Sequence, residues 1–402
     1  MAFVPYGIYW STPFAKWQGS IAHLHSMKLA ARTGRQALEA RNFPLDSVDW
    51  ATLGITNPQK SSFYGLPWLT AMMGLDRIAG PTVQQACGTS ARILQMATAE
   101  LAGGGAACAL VVGADRMSNG AVVYYPDPTG PGGQGVSESW TLDNFSKDPY
   151  AGGAMLDTAE AVAKRLGIST AAQHDLVLRR YQQYRDALAD DRAFQRRYMV
   201  EVPITDAGFR KQTGTLSADE GIFATTPESV AKLKPVKPDG TVTFAAQTHP
   251  ADGNAGMIVT TRDHARATAV DPGIEIELLG FGQARVEKGF MPMASAPAGQ
   301  RALAAAGLTI ADVTVVKSHN PFAVNDIAFS QATGFPLEKI NNYGCPLIWG
   351  HPQGPTGLRA IIEMIEELVL RGGGVGLFTG CAAGDSGVAA VLRVADARRT
   401  TR

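Results

Sequence analysis

What this chain lacks first is charge of one sign: its 36 acidic side chains offset 36 Lys and Arg, and charged residues make up only 18% of it. That excludes a nucleic-acid or generally anionic partner as the expectation, because such binding rests on a basic surface. Cysteine is scarce as well. The four thiols, Cys87, Cys108, Cys345 and Cys381, show no C-x-x-C spacing, which argues against structural zinc and leaves no bound metal expected. No apolar run approaches the roughly 20 residues that span a bilayer, and Met1-Ala2-Phe3-Val4-Pro5 lacks a basic segment followed by an apolar one. The expectation is a cytoplasmic protein with reduced thiols and no membrane partner. What is present is length and apolar content. At 402 residues and 45% hydrophobic, the chain is too long for one ordinary core, and its neutral, Gly-rich and Ala-rich composition suits an oligomeric enzyme.

Apolar residues at helical spacing between Ile21 and Arg41 (Leu24, Met27, Leu29, Ala30, Leu38) predict an amphipathic helix, and Ile93 to Leu101 predicts another. Gly103-Gly104-Gly105 and a strand over Cys108 to Val112 follow. The same order returns near the end: Thr356-Gly357, a helix over Leu358 to Leu370, Gly372-Gly373-Gly374, and a strand over Val375 to Phe378. This internal repeat implies two similar α/β halves, each with a mainly parallel sheet that needs helices on both faces. Between them, Ala121 to Ser146 is rich in Gly, Pro, Asp and Ser and predicts a long loop anchored by Trp140 and Phe145. Helices are expected over Thr158 to Leu166 and Ala171 to Leu188, the second capped by Ser169 or Thr170. The chain rejoins the first half near Thr241 to Phe244 and a strand over Gly256 to Thr261. These shifts divide it into a first half at 1–120, an insertion at 121–240, a return strand at 241–268 and a second half at 269–402.

Chemistry concentrates in Gly-rich turns. Cys87, in Gln84-Gln85-Ala86-Cys87-Gly88-Thr89-Ser90, lies between an apolar stretch ending at Val83 and an Ala-rich helical run, which predicts a strand-to-helix elbow. The free N–H groups of a first helical turn favour thiolate over thiol and can hold an oxyanion. A buried, inert thiol is the competing reading of a lone cysteine. The C-terminal quarter weighs against it. There Gly350-His351-Pro352-Gln353-Gly354-Pro355-Thr356-Gly357 precedes a helix, and Gly380-Cys381-Ala382-Ala383-Gly384-Asp385-Ser386-Gly387 follows a strand.

Together these segments resemble the thiolases, the family that makes or cleaves 3-oxoacyl-CoA. Ser11-Thr12-Pro13-Phe14-Ala15-Lys16-Trp17-Gln18-Gly19-Ser20 is similar to the family's R-T-P-F-G-K-x-x-G-S. Val112-Gly113-Ala114-Asp115-Arg116-Met117-Ser118 is similar to G-G-x-E-x-M-S, and Gly350-His351-Pro352 with Gly354 and Gly357 to G-H-P-x-G-x-x-G. The resemblance covers nearly the whole chain. It implies a five-layer αβαβα sandwich of two duplicated halves, with the site between them and the insertion as a loop domain over the CoA arm.

The resemblance also implies roles. Cys87 would be the acylated nucleophile, His351 the base that makes its thiolate, and Cys381 the acid/base at the α-carbon. One oxyanion hole would use the backbone N–H groups of Cys87 and Ala383. The other would use His351 and a water held by the Asn of an N-E-A-F motif. This sequence departs there: Lys317-Ser318-His319-Asn320-Pro321-Phe322 puts His319 on that Asn. An imidazole N–H can donate directly, as in sterol-carrier-type thiolases and ketoacyl synthases, with Asn320 the donor if the register slips by one. In Ala154-Met155-Leu156-Asp157-Thr158-Ala159-Glu160, Ala154 replaces the family's loop His, and Thr248 replaces a CoA-contacting Ser. Thr248, Met155, Asn320 and Phe322 are thereby the expected substrate and CoA contacts. Coenzyme A is the implied co-substrate, without a permanently bound cofactor, in a homodimer or dimer of dimers.

The departures put an ordinary acetoacetyl-CoA substrate in question, and the aromatic set Tyr6, Tyr9, Trp10, Phe14, Trp17 and Trp349 is a candidate wall for a bulky or aryl acyl group, with core packing as the alternative. Cys345 has the same two readings. Divergent thiolases such as the benzoylsuccinyl-CoA enzyme work with a small OB-fold and zinc-ribbon subunit, which adds such a candidate partner. The rival readings are a ketoacyl synthase-like condensing enzyme, which would lack Cys381, and a non-catalytic acyl-CoA-binding subunit.

Overall fold

The computed structural model describes residues 1–397; the last residues of the second half as drawn from the sequence, 398–402, lie outside the described residues. Strands β1 (Ala2–Phe3), β2 (Trp50–Gly54), β3 (Thr82–Val83), β4 (Cys108–Arg116), β5 (Ala251–Thr260), β6 (Ile274–Arg285), β7 (Val313–His319), β8 (Gly373–Ala382) and β9 (Ser386–Asp396) run in the order β7-β8-β9-β6-β1-β5-β4-β2-β3. The short strands Tyr9–Ser11 and Ala15–Lys16 pair with β5. The sequence predicts mainly parallel sheets, and the structure corrects this. Only β7 with β8, and β2 with β3 and β4, are parallel. The reason is local: β8 and β9 are joined by a tight turn with Gly384 at φ +82° and Asp385 at φ +55°, and such a turn can link only antiparallel neighbours. Likewise β5 returns from the insertion antiparallel to β4, from Asp252 opposite Arg116 to Thr260 opposite Cys108.

The helices that matter are α1 (Ser26–Glu39), α2 (Gly65–Met72), α3 (Thr89–Ala102), α4 (Met155–Leu166), α5 (Thr170–Ala187), α6 (Ser295–Ala305), α7 (Ala323–Thr333) and α8 (Thr356–Arg371). Helices α1 and α2 cover the outer face of β2, β4 and β5. Helix α6 covers the outer face of β6, β8 and β9 and packs on α7, while α3 and α8 lie between the two half-sheets. Five layers result, with the two half-sheets joined at β1. Because α8 is covered on all sides, Thr356 through Leu368 are all buried, including Arg359, Glu363, Glu366 and Glu367. Helix α1 starts five residues later than its apolar spacing predicts, since Ile21 and Leu24 belong to a separate cluster with Val202 and Leu216. The loop expected over Ala121 to Ser146 instead carries a hairpin, Val122–Tyr125 with Val136–Ser139. Trp140 does anchor it, donating through Nε1 to the Thr56 carbonyl at 2.8 Å. Ser169 caps α5 by accepting from Ala172 N–H. Among the described residues no helix is long and apolar enough to cross a membrane.

Buried charges tie the insertion to the second half. Arg359 on α8 makes a two-pronged pair with Asp219, at 2.6 and 2.8 Å, and reaches Glu363 at 3.1 Å. Lys317 on β7 meets Glu363 at 3.1 Å, and Arg180 on α5 meets Asp326 on α7 at 2.9 Å.

Candidate active site

The elbow at Cys87 is strained on purpose: Ala86 sits at φ +42°, a left-handed conformation that costs a non-glycine residue energy. It turns the chain from β3 into α3 and leaves the Cys87 sulfur lining a cavity of about 350 Å³. Burial pushes the Cys87 thiol up to about 12, opposed by the backbone N–H groups of Ala383 and of Cys87 itself. Cys87 therefore rests as a neutral thiol, and any attack by its sulfur requires a base to take the proton.

An imidazole lies within reach of it. His351 Nε2 is 3.2 Å from Cys87 Sγ, and its Nδ1 is 2.7 Å from Thr356 Oγ. With the Thr356 oxygen accepting from Nδ1–H, Nε2 is left as the acceptor toward sulfur. Burial, then the neighbouring His319, lower the His351 pKa well below its ordinary value. Its turn is fixed by the first half and its return segment: His351 N–H donates to the His249 carbonyl at 2.8 Å, and Gly354 N–H donates to Asp115 at 2.8 Å. Asp115 also accepts from the N–H groups of Thr56 and Asn57. Burial pushes its carboxyl up to about 7 against those donors.

His319 ends β7 beside this pair, with its ring 4.1 Å from that of His351. Both its ring nitrogens are buried and neither bonds a described protein group. Burial lowers its pKa to about 3, so the ring is neutral at working pH. Because the unfolded imidazole titrates near 6.5, acidification from 6.5 toward 3 protonates His319 in the unfolded chain only and lowers stability over that window. Thermal melts across it should show His319→Asn losing less on acidification than wild type, by up to about 1.4 kcal/mol per pH unit.

Cys381 closes the group. It is buried as the penultimate residue of strand β8, rather than in the turn that its glycines suggest, and accepts from Asn325 Nδ2 at 3.2 Å. Burial and then the nearby Cys87 raise its pKa. Cys87, His319 and His351 also converge as possible metal donors, with one ligand atom of each within 4.8 Å of the others, a set that the absence of C-x-x-C spacing does not disclose.

The cavity wall is mainly apolar, with Leu142, Phe145, Met155, Leu156, Met291 and Phe322, to which Ser146, Gln247 and Gln353 add uncharged polar groups; among the described residues no Asp, Glu, Lys or Arg lines it. Met155, Phe322 and Thr248 line the same cavity as Cys87, and the Thr248 hydroxyl donates to the Pro346 carbonyl at 2.6 Å. Asn320 does not join them. Its amide donates to Asp326 and Cys345 and accepts from Leu347 N–H, so a register slipped by one finds no free donor. The aromatic set is corrected too. Tyr9, Trp10, Phe14 and Trp349 are fully buried core, and none of the six candidate rings lines the cavity. Cys345 is likewise buried packing. The sequence does not single out Thr356, whose place five residues after His351 is the available signal, or Leu142, and Phe145, expected as a loop anchor, lines the cavity.

Two family descriptions fit the chain: thiolase, N-terminal domain, over residues 10–263, and thiolase, C-terminal domain, over residues 274–394. The acetyl-CoA acetyltransferase of Escherichia coli (strain K12) is 28% identical over 390 residues, covering 95% of this chain and 96% of that protein. The β-ketoadipyl-CoA thiolase of Pseudomonas knackmussii is 30% identical over 399 residues, covering 95% and 97%. A crystal structure of human mitochondrial 3-ketoacyl-CoA thiolase in complex with CoA superposes with a TM-score of 0.87 over 98% of this chain and 97% of that one, at 24% identity, a likeness of fold.

Proposed function

The chain belongs to the thiolase family, and on that premise we propose that it cleaves or forms a 3-oxoacyl-CoA through an acyl group carried on Cys87. In the cleavage direction, Cys87 Sγ attacks the 3-oxo carbonyl while its proton passes to His351 Nε2. The tetrahedral oxyanion rests on the N–H groups of Cys87 and Ala383. The C2–C3 bond breaks, its electron pair forms the enolate of the departing acyl-CoA, and Cys381 returns a proton to the α-carbon. His319 and His351 stabilise the enolate oxygen. Cys381, now a thiolate, takes the proton of the incoming CoA thiol, whose sulfur displaces the acyl group from Cys87 as a thioester, and the proton held on His351 returns to Cys87 Sγ. Condensation runs these steps backward.

The observation that carries this reading is the 3.2 Å contact between His351 Nε2 and a cysteine open to the cavity. The uncharged, apolar wall favours bulky or aryl acyl groups over acyl groups ending in a carboxylate, since burying an unpaired carboxylate is costly. Cys381 beside the site argues against a ketoacyl synthase-like enzyme. The opening to Cys87 argues against a merely binding subunit. A homodimer or dimer of dimers in the cytoplasm, and a small OB-fold and zinc-ribbon partner, complete the proposal on resemblance alone. Thiolysis of a CoA-ester panel, run with and without such a partner, tests the substrate class, and aryl and branched 3-oxoacyl-CoA should turn over fastest. Peptide mass analysis after incubation with acyl-CoA should place the adduct on Cys87. An adduct on Cys345 or Cys381 with Cys87 untouched refutes the assignment.

A further inference from the structure

We infer that Asn325 is the positioning residue of Cys381, donating its side-chain N–H to the sulfur and thereby setting how readily that thiol exchanges the α-proton. The inference rests on the reading of Cys381 as the acid/base.

Asn325 is the third residue of α7 and is buried, as is Cys381. Its Nδ2 lies 3.2 Å from Cys381 Sγ, and its Oδ1 accepts from Phe322 N–H at 3.2 Å. The second contact fixes the first. A backbone N–H can only donate, so the amide oxygen must face Phe322 and the NH2 must face the sulfur. Among the described residues no other side chain is recorded donating to Cys381. A donor on the sulfur has two effects. It favours thiolate when Cys381 acts as base, and it occupies one lone pair, so the S–H of the acid form is directed elsewhere. The charged or titratable groups that bear on the thiol are Cys87 and Asp326, and both oppose its ionisation. Asp326 is itself paired with Arg180. Asn325 and the Cys381 N–H act in the opposite sense.

The alternative is that Asn325 merely caps α7 through its oxygen. Asn325→Asp separates the two roles once its carboxyl is ionised, at the alkaline end of the profile, because a carboxylate keeps the acceptor for Phe322 N–H and loses the donor. Asn325→Ala removes both. The measurement is α-proton exchange into deuterated water against pH, using the CoA ester that wild type exchanges fastest, beside single-turnover acylation of Cys87 and thermal melts. Both variants should exchange roughly tenfold or more slowly at neutral pH, with the profile displaced upward by about one pH unit. Acylation should stay within about twofold of wild type, which shows that each variant is folded even where the buried carboxyl of Asn325→Asp lowers its melting temperature. A Cys381→Ala control keeps the failures apart. If it abolishes exchange while both Asn325 variants keep the wild-type profile, Asn325 is only a cap and the inference falls. If exchange survives in Cys381→Ala, the reading of Cys381 falls and the inference falls with it.

Discussion

Cys381→Ala should acylate Cys87 at close to the wild-type rate and lose α-proton exchange, and hence overall turnover, by roughly 10²-fold or more, the usual contribution of a positioned acid or base. The expectation follows from the division of labour in the cavity. His351 is in contact with Cys87, so acylation needs nothing from the second thiol. Cys381 accepts from Asn325 instead. Stopped-flow thiolysis with a chromogenic acyl-CoA, set beside deuterium incorporation, reads the two halves separately. Full turnover in the variant would place the chain with single-cysteine condensing enzymes.

His319→Ala should slow the enolate half-reaction by about 10²- to 10³-fold, because losing one oxyanion donor costs about 2.7–4 kcal/mol of barrier. The physical ground is the pair of unpartnered ring nitrogens in a buried, neutral imidazole. A donor not held by a protein acceptor can direct its N–H to the enolate oxygen, where the bond strengthens as charge develops, and that stabilises the transition state selectively. His319→Asn should lose less than Ala, since its amide can hold a water in the donor position. Equal damage to acylation and exchange, or damage to neither, would remove His319 from the mechanism. Asn320 cannot take its place, for its amide is fully engaged.

The turns that bear Cys87, His351 and Cys381 were legible because each needs small residues beside a reactive side chain, and glycine marks such places in one sequence. The relation of His319 to Asn320 was not. One residue of slip is invisible in a motif, whereas the backbone of β7 delivers the His319 ring onto His351 and turns Asn320 toward Asp326. Strand direction was hidden for a similar reason. Apolar runs such as Val375 to Phe378 announce a strand covered on both faces, but neighbour and direction depend on the connection, and the positive φ of Asp385 is not written in its residue type. The aromatic run misled because Phe14 and Trp349 pack edge to face at 5.2 Å and both flank the Arg359 guanidinium. Their bulk serves a buried cation rather than a ligand.

That cation has a consequence for cooperativity. Arg359, Glu363 and Lys317 stand in the centre of the sandwich, yet their neutralisation depends on Asp219, which comes from the insertion. If the insertion unfolded by itself, the guanidinium would remain in the core without its two-pronged partner, and an uncompensated buried charge costs about 3–5 kcal/mol. The insertion therefore cannot open as an independent folding unit, and it cannot be excised or exchanged for a shorter connection without first replacing Arg359. A segment that reads in sequence as an addition between two repeats is, energetically, part of the joint that holds the repeats together.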